Sequence, residues 1–248
     1  MQGKELLQVS VLGNLAVLRH RTKMQLPPSK KTRALLAYLA VTARAHSRNR
    51  LCAIFWAVPD DPRAGLRWSL SRLRPLVDEP DCRRIVADRD NVGLDLSLVT
   101  VDILSLRSAA RHGIDAISSD ALRQATEALE GDFLEGLDLP DCQEFQSWCT
   151  AEREETRRLR VRLLSELVTR LEDVPEEALR YARTLGLLEP ANKALVLVWK
   201  RSRTASSCSE ATTGYHKIED QIAEGDKVVT RLTVYGTHEG DLPGIPRT

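Results

Sequence analysis

Apolar and polar positions alternate at the start of the chain. Leu7, Val9 and Val11 are separated by Gln8 and Ser10. A two-residue period predicts a strand, Gly13-Asn14 a turn, and Leu15 to Leu18 a second strand. A short third strand is predicted around Met24–Leu26, ending at Pro27-Pro28. From Ser29 the period lengthens. Leu35, Leu36, Leu39 and Ala40 follow helical spacing, and Ser47 is placed to cap a second helix carrying Leu51, Ile54, Phe55 and Trp56.

A third helix is signalled sharply. Asp61 suits the N-cap, and Pro62 falls at the first helical position, where its missing N–H costs nothing. Leu66, Leu70, Leu73 and Val77 form one apolar stripe. Arg67, Trp68, Ser71 and Arg72 fall on the opposite side, with Arg63 and Arg74 flanking. Pro75 predicts an early end or a kink. Ile85–Ala87 and Val92–Leu96 then bracket Asp88-Arg89-Asp90-Asn91, a hairpin with a charged tip.

Beyond Val101-Asp102 the pattern is helical. Ile103, Leu104, Leu106, Ala109 and Ala110 predict one helix ending near Gly113. Ala121, Leu122, Ala125 and Leu129 predict a second, capped by Ser119 or Asp120. The acidic loop Gly131-Asp132-Phe133-Leu134-Glu135-Gly136-Leu137-Asp138-Leu139-Pro140-Asp141 follows. A long helix then runs from Phe145 and Trp148 through Leu171, and Pro175 starts another with Ala178, Leu179, Ala182 and Leu185 on one face. Leu188 to Asn192 reads as a helix-to-helix turn. The charged run Glu152 to Arg162 predicts a solvated face with i, i+4 pairs. The predicted fold class is α+β.

Composition adds a contrast within the chain. The net charge over 248 residues is +1. Residues 1–100 hold 17 Lys and Arg against 9 Asp and Glu, a net of +8, whereas residues 101–200 hold 13 against 19, a net of −6. A basic block beside an acidic one suits a nucleic-acid reader joined to a protein-binding module. Aromatics are only 4%, which predicts cores of Leu, Val and Ala. No apolar run approaches the ~20 residues of a membrane span, and residues 1–5 lack a signal-peptide core. Five scattered cysteines without a CxxC pair suit a reducing cytosol. Cys142 and Cys149 are expected as core fillers rather than metal ligands, because no third Cys or His has suitable spacing. No phosphate-cradling Gly loop, HExxH or GxSxG motif is present. No cofactor is expected.

Strands, three helices and a terminal hairpin resemble an OmpR-like winged helix. With the acidic loop and the helices around it, residues 5–203 resemble the Streptomyces antibiotic regulatory protein (SARP) family, in which such a winged helix precedes a bacterial transcriptional activator domain (BTAD). The stretch around Leu188-Glu189-Pro190 also resembles the junction of two tetratricopeptide (TPR-like) units. The implied domains are residues 1–100, a DNA-binding winged helix, and 101–203, the activator domain. The resemblance implies that the third helix enters the major groove of double-stranded DNA. Arg67, Trp68, Ser71 and Arg72 would then meet base edges, since Arg forks onto guanine and Ser bonds several edges. Lys30, Lys31, Arg63, Arg74 and Arg89 would hold phosphates. The family's helical domain implies contact with RNA polymerase or a second protomer on direct repeats.

The tail breaks the pattern. Ser and Thr enrichment predicts a linker over 204–214. Alternation in Val228–Val234 predicts a strand, with a turn at Glu224-Gly225-Asp226. Residues 215–248 resemble an internal piece of the SnoaL-like polyketide cyclase family, without the part that carries its acid/base carboxylate.

The expectation is a cytoplasmic, nucleoid-associated, DNA-binding transcription regulator, an activator and not an enzyme. Two alternatives stand beside it: an interaction module whose DNA reader is defective through Trp68 and Pro75, and a cyclase-like enzyme.

Overall fold

The computed structural model describes residues 7–57, 61–129, 131–171 and 174–189, together with the backbone of 212–224 and 227–238. The chain is a mixed α+β protein. Its N-terminal part runs β1 (Leu7–Ser10), β2 (Ala16–Arg19), β3 (Thr22–Lys23), α1 (Lys30–Thr42), β4 (His46–Ser47), α2 (Arg48–Phe55), α3 (Pro62–Val77), β5 (Ile85–Ala87), β6 (Asn91–Leu94) and β7 (Val99–Val101). One sheet has the order β3-β2-β1-β7, with β7 parallel to β1, and a second has the order β4-β6-β5. The helical part follows as α4 (Asp102–Arg111), a 3-10 turn at Ile114–Ala116, α5 (Ser119–Ala128), α6 (Gln143–Arg170) and α7 (Pro175–Leu188).

The caps act where the sequence placed them. The side chains of Ser29, Ser47 and Asp61 accept from the backbone N–H groups of Thr32, Arg50 and Ala64. Trp56 terminates α2 rather than lying within it. At α5 the cap is Ser118, not Ser119 or Asp120. The third strand also moves, from the expected Met24–Leu26 to Thr22–Lys23. His20 and Arg21 both take positive φ, 52° and 61°. That makes a two-residue hairpin loop and fixes the pairs Arg19↔Thr22 and Leu18↔Lys23.

Pro75 neither ends nor shortens α3, which continues to Val77. Proline removes the N–H that would serve Ser71 and crowds the preceding turn. Two things offset that cost. Leu73, Leu76 and Val77 are buried on the core side. The Arg19 guanidinium donates to Pro75 O (3.3 Å) and Asp78 O (3.2 Å), filling acceptors that a helix end leaves open.

The acidic loop clasps the N-terminal sheet. Gly13 N–H donates to Asp132 O (2.9 Å), Leu134 N–H to Val11 O (2.8 Å) and Glu135 N–H to Gly13 O (2.9 Å). The approach is so close that a Cβ on Gly131 would lie 2.5 Å from Gly13 Cα. Gly136 has φ +70°, which favours glycine. Beside the clasp, the Asp102 carboxylate accepts from Val11 N–H (3.0 Å), Leu12 N–H (3.1 Å) and Ile103 N–H (2.7 Å). Burial raises its pKa above the usual carboxylate value even so, against the lowering by those N–H groups.

One apolar core runs from Leu7 to Leu185, through both parts. Leu, Val and Ala supply most of it, as composition predicts. The junction is aromatic. Ring centroids lie 4.9 Å apart for Tyr38 and Trp148, 5.3 Å for Phe55 and Phe145, and 5.6 Å for Phe133 and Trp148. Cys142 and Cys149 are buried here as expected, and the Cys142 thiol points to Phe55 O at 3.5 Å.

The Glu152–Arg162 run is less of a solvated face than its charge suggests. Arg158 pairs with Glu154 at i, i+4 (2.9 Å). Glu152 instead binds Arg107 of α4 at 2.5 Å, Arg153 donates to Phe133 O and Leu134 O, and Arg157 donates to Leu188 O. These side chains tie α6 to its neighbours.

The tail forms β8 (Thr212–Glu224) and β9 (Lys227–His238), an antiparallel pair with a bulge between Ile218 and Asp220. The strands are longer than expected, and β8 begins within the stretch expected to be a linker. Most of that linker, most of the Leu188–Asn192 turn and the Leu242–Pro246 segment lie outside the described residues.

Asp102→Ala leaves buried N–H donors of Val11 and Leu12 unpaired. The expected loss is about 1–3 kcal/mol per stranded donor, read as a lowered urea midpoint. Asp102→Asn keeps one acceptor oxygen and is expected to lose less.

Candidate nucleic-acid interface

Helix α3 is held rigidly on its inner side. Leu66, Leu70, Leu73, Leu76 and Val77 are buried, and the Ser69 and Thr32 hydroxyls meet at 2.9 Å, joining its middle to the first turn of α1. The Trp56 indole lies close against Gly65, where an added Cβ would lie 2.7 Å from its Nε1. Arg19 braces the far end. Every side chain expected to face DNA from this helix is therefore on the outside: Arg63, Arg67, Trp68, Ser71, Arg72 and Arg74 are all exposed, Trp68 by 46%.

Their contacts are local. Arg63 donates to Asn49 Oδ1 at 3.0 Å. Arg67 lies 3.5 Å from Asp61 at the helix cap, with both side chains more than half exposed. Such a pair is weak and easily exchanged for another anion. The Arg72 guanidinium stacks 5.3 Å from the centre of the Trp68 ring. The Ser71 hydroxyl donates to Trp68 O at 2.7 Å, leaving its lone pairs as acceptors.

The remaining expected contacts are more scattered. Lys30 is exposed at the start of α1, near the middle of α3 through the Thr32–Ser69 contact. Lys31 is half-buried and close enough to Cys142 to act against the burial that raises that thiol, so it lies toward α6. Arg89 is exposed at the β5–β6 tip. That tip is tied to α2, because Arg48 donates from its backbone to Asp90 O (2.7 Å) and from Nε to Asp88 O (3.0 Å).

An open groove of about 550 Å³ runs along the exposed side of α3, between Trp68, Ser71 and Arg72 and the segment Met24 to Pro28. Its apolar wall adds a hydrophobic border to the cationic ridge.

Chemistry of other kinds is poorly provided for. Burial pushes the Cys149 thiol up to about 12 and raises Cys52 and Cys142, which keeps them protonated and unreactive. Burial first, then Arg44 and Arg50, lowers the pKa of His46, which fits a neutral ring bonded through Nε2 to Thr42 Oγ1 at 2.8 Å. Among the described residues no three His, Cys, Asp or Glu side chains gather as metal ligands, and no helix is long and apolar enough to cross a membrane.

Known proteins resemble this chain at two levels. The family model for SnoaL-like polyketide cyclase matches residues 210–248, which is 39 of the 248 residues. Among solved structures, Mycobacterium tuberculosis EmbR in complex with a low-affinity phosphopeptide is similar. It shares 19% identity over 81% of this chain and 66% of that chain, with a TM-score of 0.49. The chain thus spans just under two thirds of that protein's length. No curated protein matches.

Three supports of this face had no local signal. Arg19 lies in a strand far from α3 in sequence, and the groove wall comes from residues expected to be a strand. Arg84, 2% exposed, donates to Val77 O at 2.6 Å and anchors the turn after α3. Only the Gly65–Trp56 contact left a trace, as a glycine inside an amphipathic helix.

Gly65→Ala should push the Trp56 indole aside. The expected cost is about 1–3 kcal/mol of overpacking, seen as a lower melting temperature with a shifted tryptophan emission.

Proposed function

We propose that this chain is a sequence-specific, DNA-binding transcription regulator and an activator, with residues 1–100 as an OmpR-like winged helix and 101–203 as a bacterial transcriptional activator domain. The observation that carries this is α3: a buried apolar stripe on one side and an exposed row of Arg63, Arg67, Ser71, Arg72 and Arg74 on the other. Helix α3 of 16 residues is about 24 Å long, which suits a major groove. The β5–β6 hairpin, with Arg89 at its tip, takes the place of a wing. Arg67, Ser71 and Arg72 read bases, Trp68 meets a sugar or a thymine methyl, and Lys30, Lys31, Arg63, Arg74 and Arg89 hold phosphates. The acidic helical part engages RNA polymerase or a second protomer on a direct repeat. Such a protein works in the cytoplasm, at the nucleoid.

One observation favours a second reading, an interaction module that has lost its DNA reader. Trp68 stands at the centre of the ridge beside an apolar groove. The cyclase-like reading has less support. The described part of the matching segment is a two-stranded sheet, which encloses no pocket unaided.

A gel-shift titration against salt separates these. The regulator predicts binding that weakens steeply as salt rises. Arg67→Ala or Arg72→Ala should cost about 1–3 kcal/mol and relax preference at one base position, whereas Arg74→Ala should weaken all sequences alike. Absence of binding in the native chain, restored by Trp68→Thr, would establish the damaged reader instead.

A further inference from the structure

Among the described residues, the half-buried arginines of the helical part each place at least one guanidinium nitrogen on an acceptor, Arg107 with its Nε left unpaired, and Arg160 is the exception. Arg107 holds Glu152, Arg123 holds Glu177, Arg153 holds Phe133 O, and Arg170 holds Glu166 and the carbonyl oxygens of Ile114, Asp115 and Ile117. Arg160 is half-buried in α6, with its Nε–H enclosed and unpaired. One turn earlier on the same helix face, Thr156 is 5% exposed, and its hydroxyl also has no partner. A threonine in a helix ordinarily returns its hydroxyl to a backbone carbonyl, as Thr150 does to Gln146 O at 3.0 Å.

Both side chains line a cavity of about 290 Å³ between α6, the acidic loop and the end of α7. Leu129, Phe133 and Leu188 give it apolar walls. Arg160 also borders a neighbouring cavity of about 370 Å³, with Arg180 and Tyr181. Two enclosed donors, one of them on a cation, face a space in which, among the described residues, no carboxylate lies within ion-pair distance of Arg160. Unpaired buried donors are costly and are retained where something accepts from them. Asp132 and Glu154 stand exposed on the rim, and Glu154 is engaged by Arg157 and Arg158.

We infer that this cavity binds a small organic anion, whose carboxylate or phosphate accepts from Arg160 Nε–H and the Thr156 hydroxyl while its apolar body rests on Leu129, Phe133 and Leu188. The volume sits at the lower end of small-molecule pockets, which restricts the ligand to about metabolite size. The walls include Gly131, Asp132 and Phe133 of the clasp, so the ligand touches the loop that joins the two parts of the protein. The site is independent of any DNA contact.

The test is isothermal titration of the full chain with inorganic phosphate and, separately, with pentanoate, at constant ionic strength. Saturable binding of at least one is expected. Arg160→Gln should weaken it about tenfold or more, the loss of a charge-assisted hydrogen bond. Thr156→Val, of equal shape, should weaken it too and raise the melting temperature of the unliganded protein, because a stranded hydroxyl is removed. Tighter phosphate binding identifies a phosphate group, and tighter pentanoate binding a carboxylate with an apolar body. The site is refuted if neither probe saturates, if a folded Arg160→Gln binds as the native chain does, or if Thr156→Val lowers the melting temperature.

Discussion

The whole arrangement depends on two glycines meeting backbone to backbone. Gly131 lies against Gly13 so closely that no side chain fits between them. Only at that distance can the loop exchange three backbone hydrogen bonds with the β1–β2 turn. Those bonds set Phe133, which meets Trp148, which meets Tyr38 of α1. The start of α6 is thereby fixed against α2, through Phe55 and Phe145. Asp102 ties the remaining donors of the same turn to the first residues of α4. A side chain at Gly131 would separate the loop from the sheet before it disturbed any helix, whereas Gly13 has open space for one and is constrained only by its φ of +75°.

The basic and acidic halves sit side by side without neutralising one another. Several acids of the helical part are taken by its own arginines: Glu152 by Arg107, Glu177 by Arg123, Asp138 by Arg153 and Glu166 by Arg170. Arg50 crosses the junction to Glu144, at 2.6 Å and half exposed. The α3 arginines stay on their own side, with Asp61 and Asn49 as nearest partners. A ridge that folded onto the acidic half would have had to displace pairs already made, at several kcal/mol for the partly buried ones.

Local features were legible in the sequence, and distant supports were not. Ser29, Ser47 and Asp61 declared three helix starts because an N-cap acts within three residues. The α3 stripe was legible because its period is short. The persistence of α3 past Pro75 was hidden, since Arg19, 56 residues away, supplies the compensation. Sparse aromatics suggested a purely aliphatic core, yet composition cannot say that Tyr38, Phe55, Phe133, Phe145 and Trp148 converge on one junction. The α6 charge run looked solvated because pairing at i, i+4 is visible in a sequence, whereas a bond from Arg157 to Leu188 O is not. For the candidate site the ridge itself could be read, and the groove beside it could not, because its wall is Met24 to Pro28, which follows a strand that ends at Lys23.

For the proposed reader, Pro75 matters less than Trp68. The proline sits in the last turn of α3 and the turn its ring crowds begins at Ser71, so Arg63, Arg67 and Trp68 lie ahead of it while Arg72 lies within it. Trp68 lies one turn before Arg72, whose guanidinium is stacked on its ring. Stacking holds the guanidinium in one plane and reduces the entropy lost when it forks onto a guanine. The same indole would stand between the helix and a closely docked duplex. An apolar contact with a thymine methyl would resolve that conflict, turning the bulk of the ring into readout at a neighbouring base pair. The side chain that looks like an obstruction would then set the sequence preferred beside each arginine.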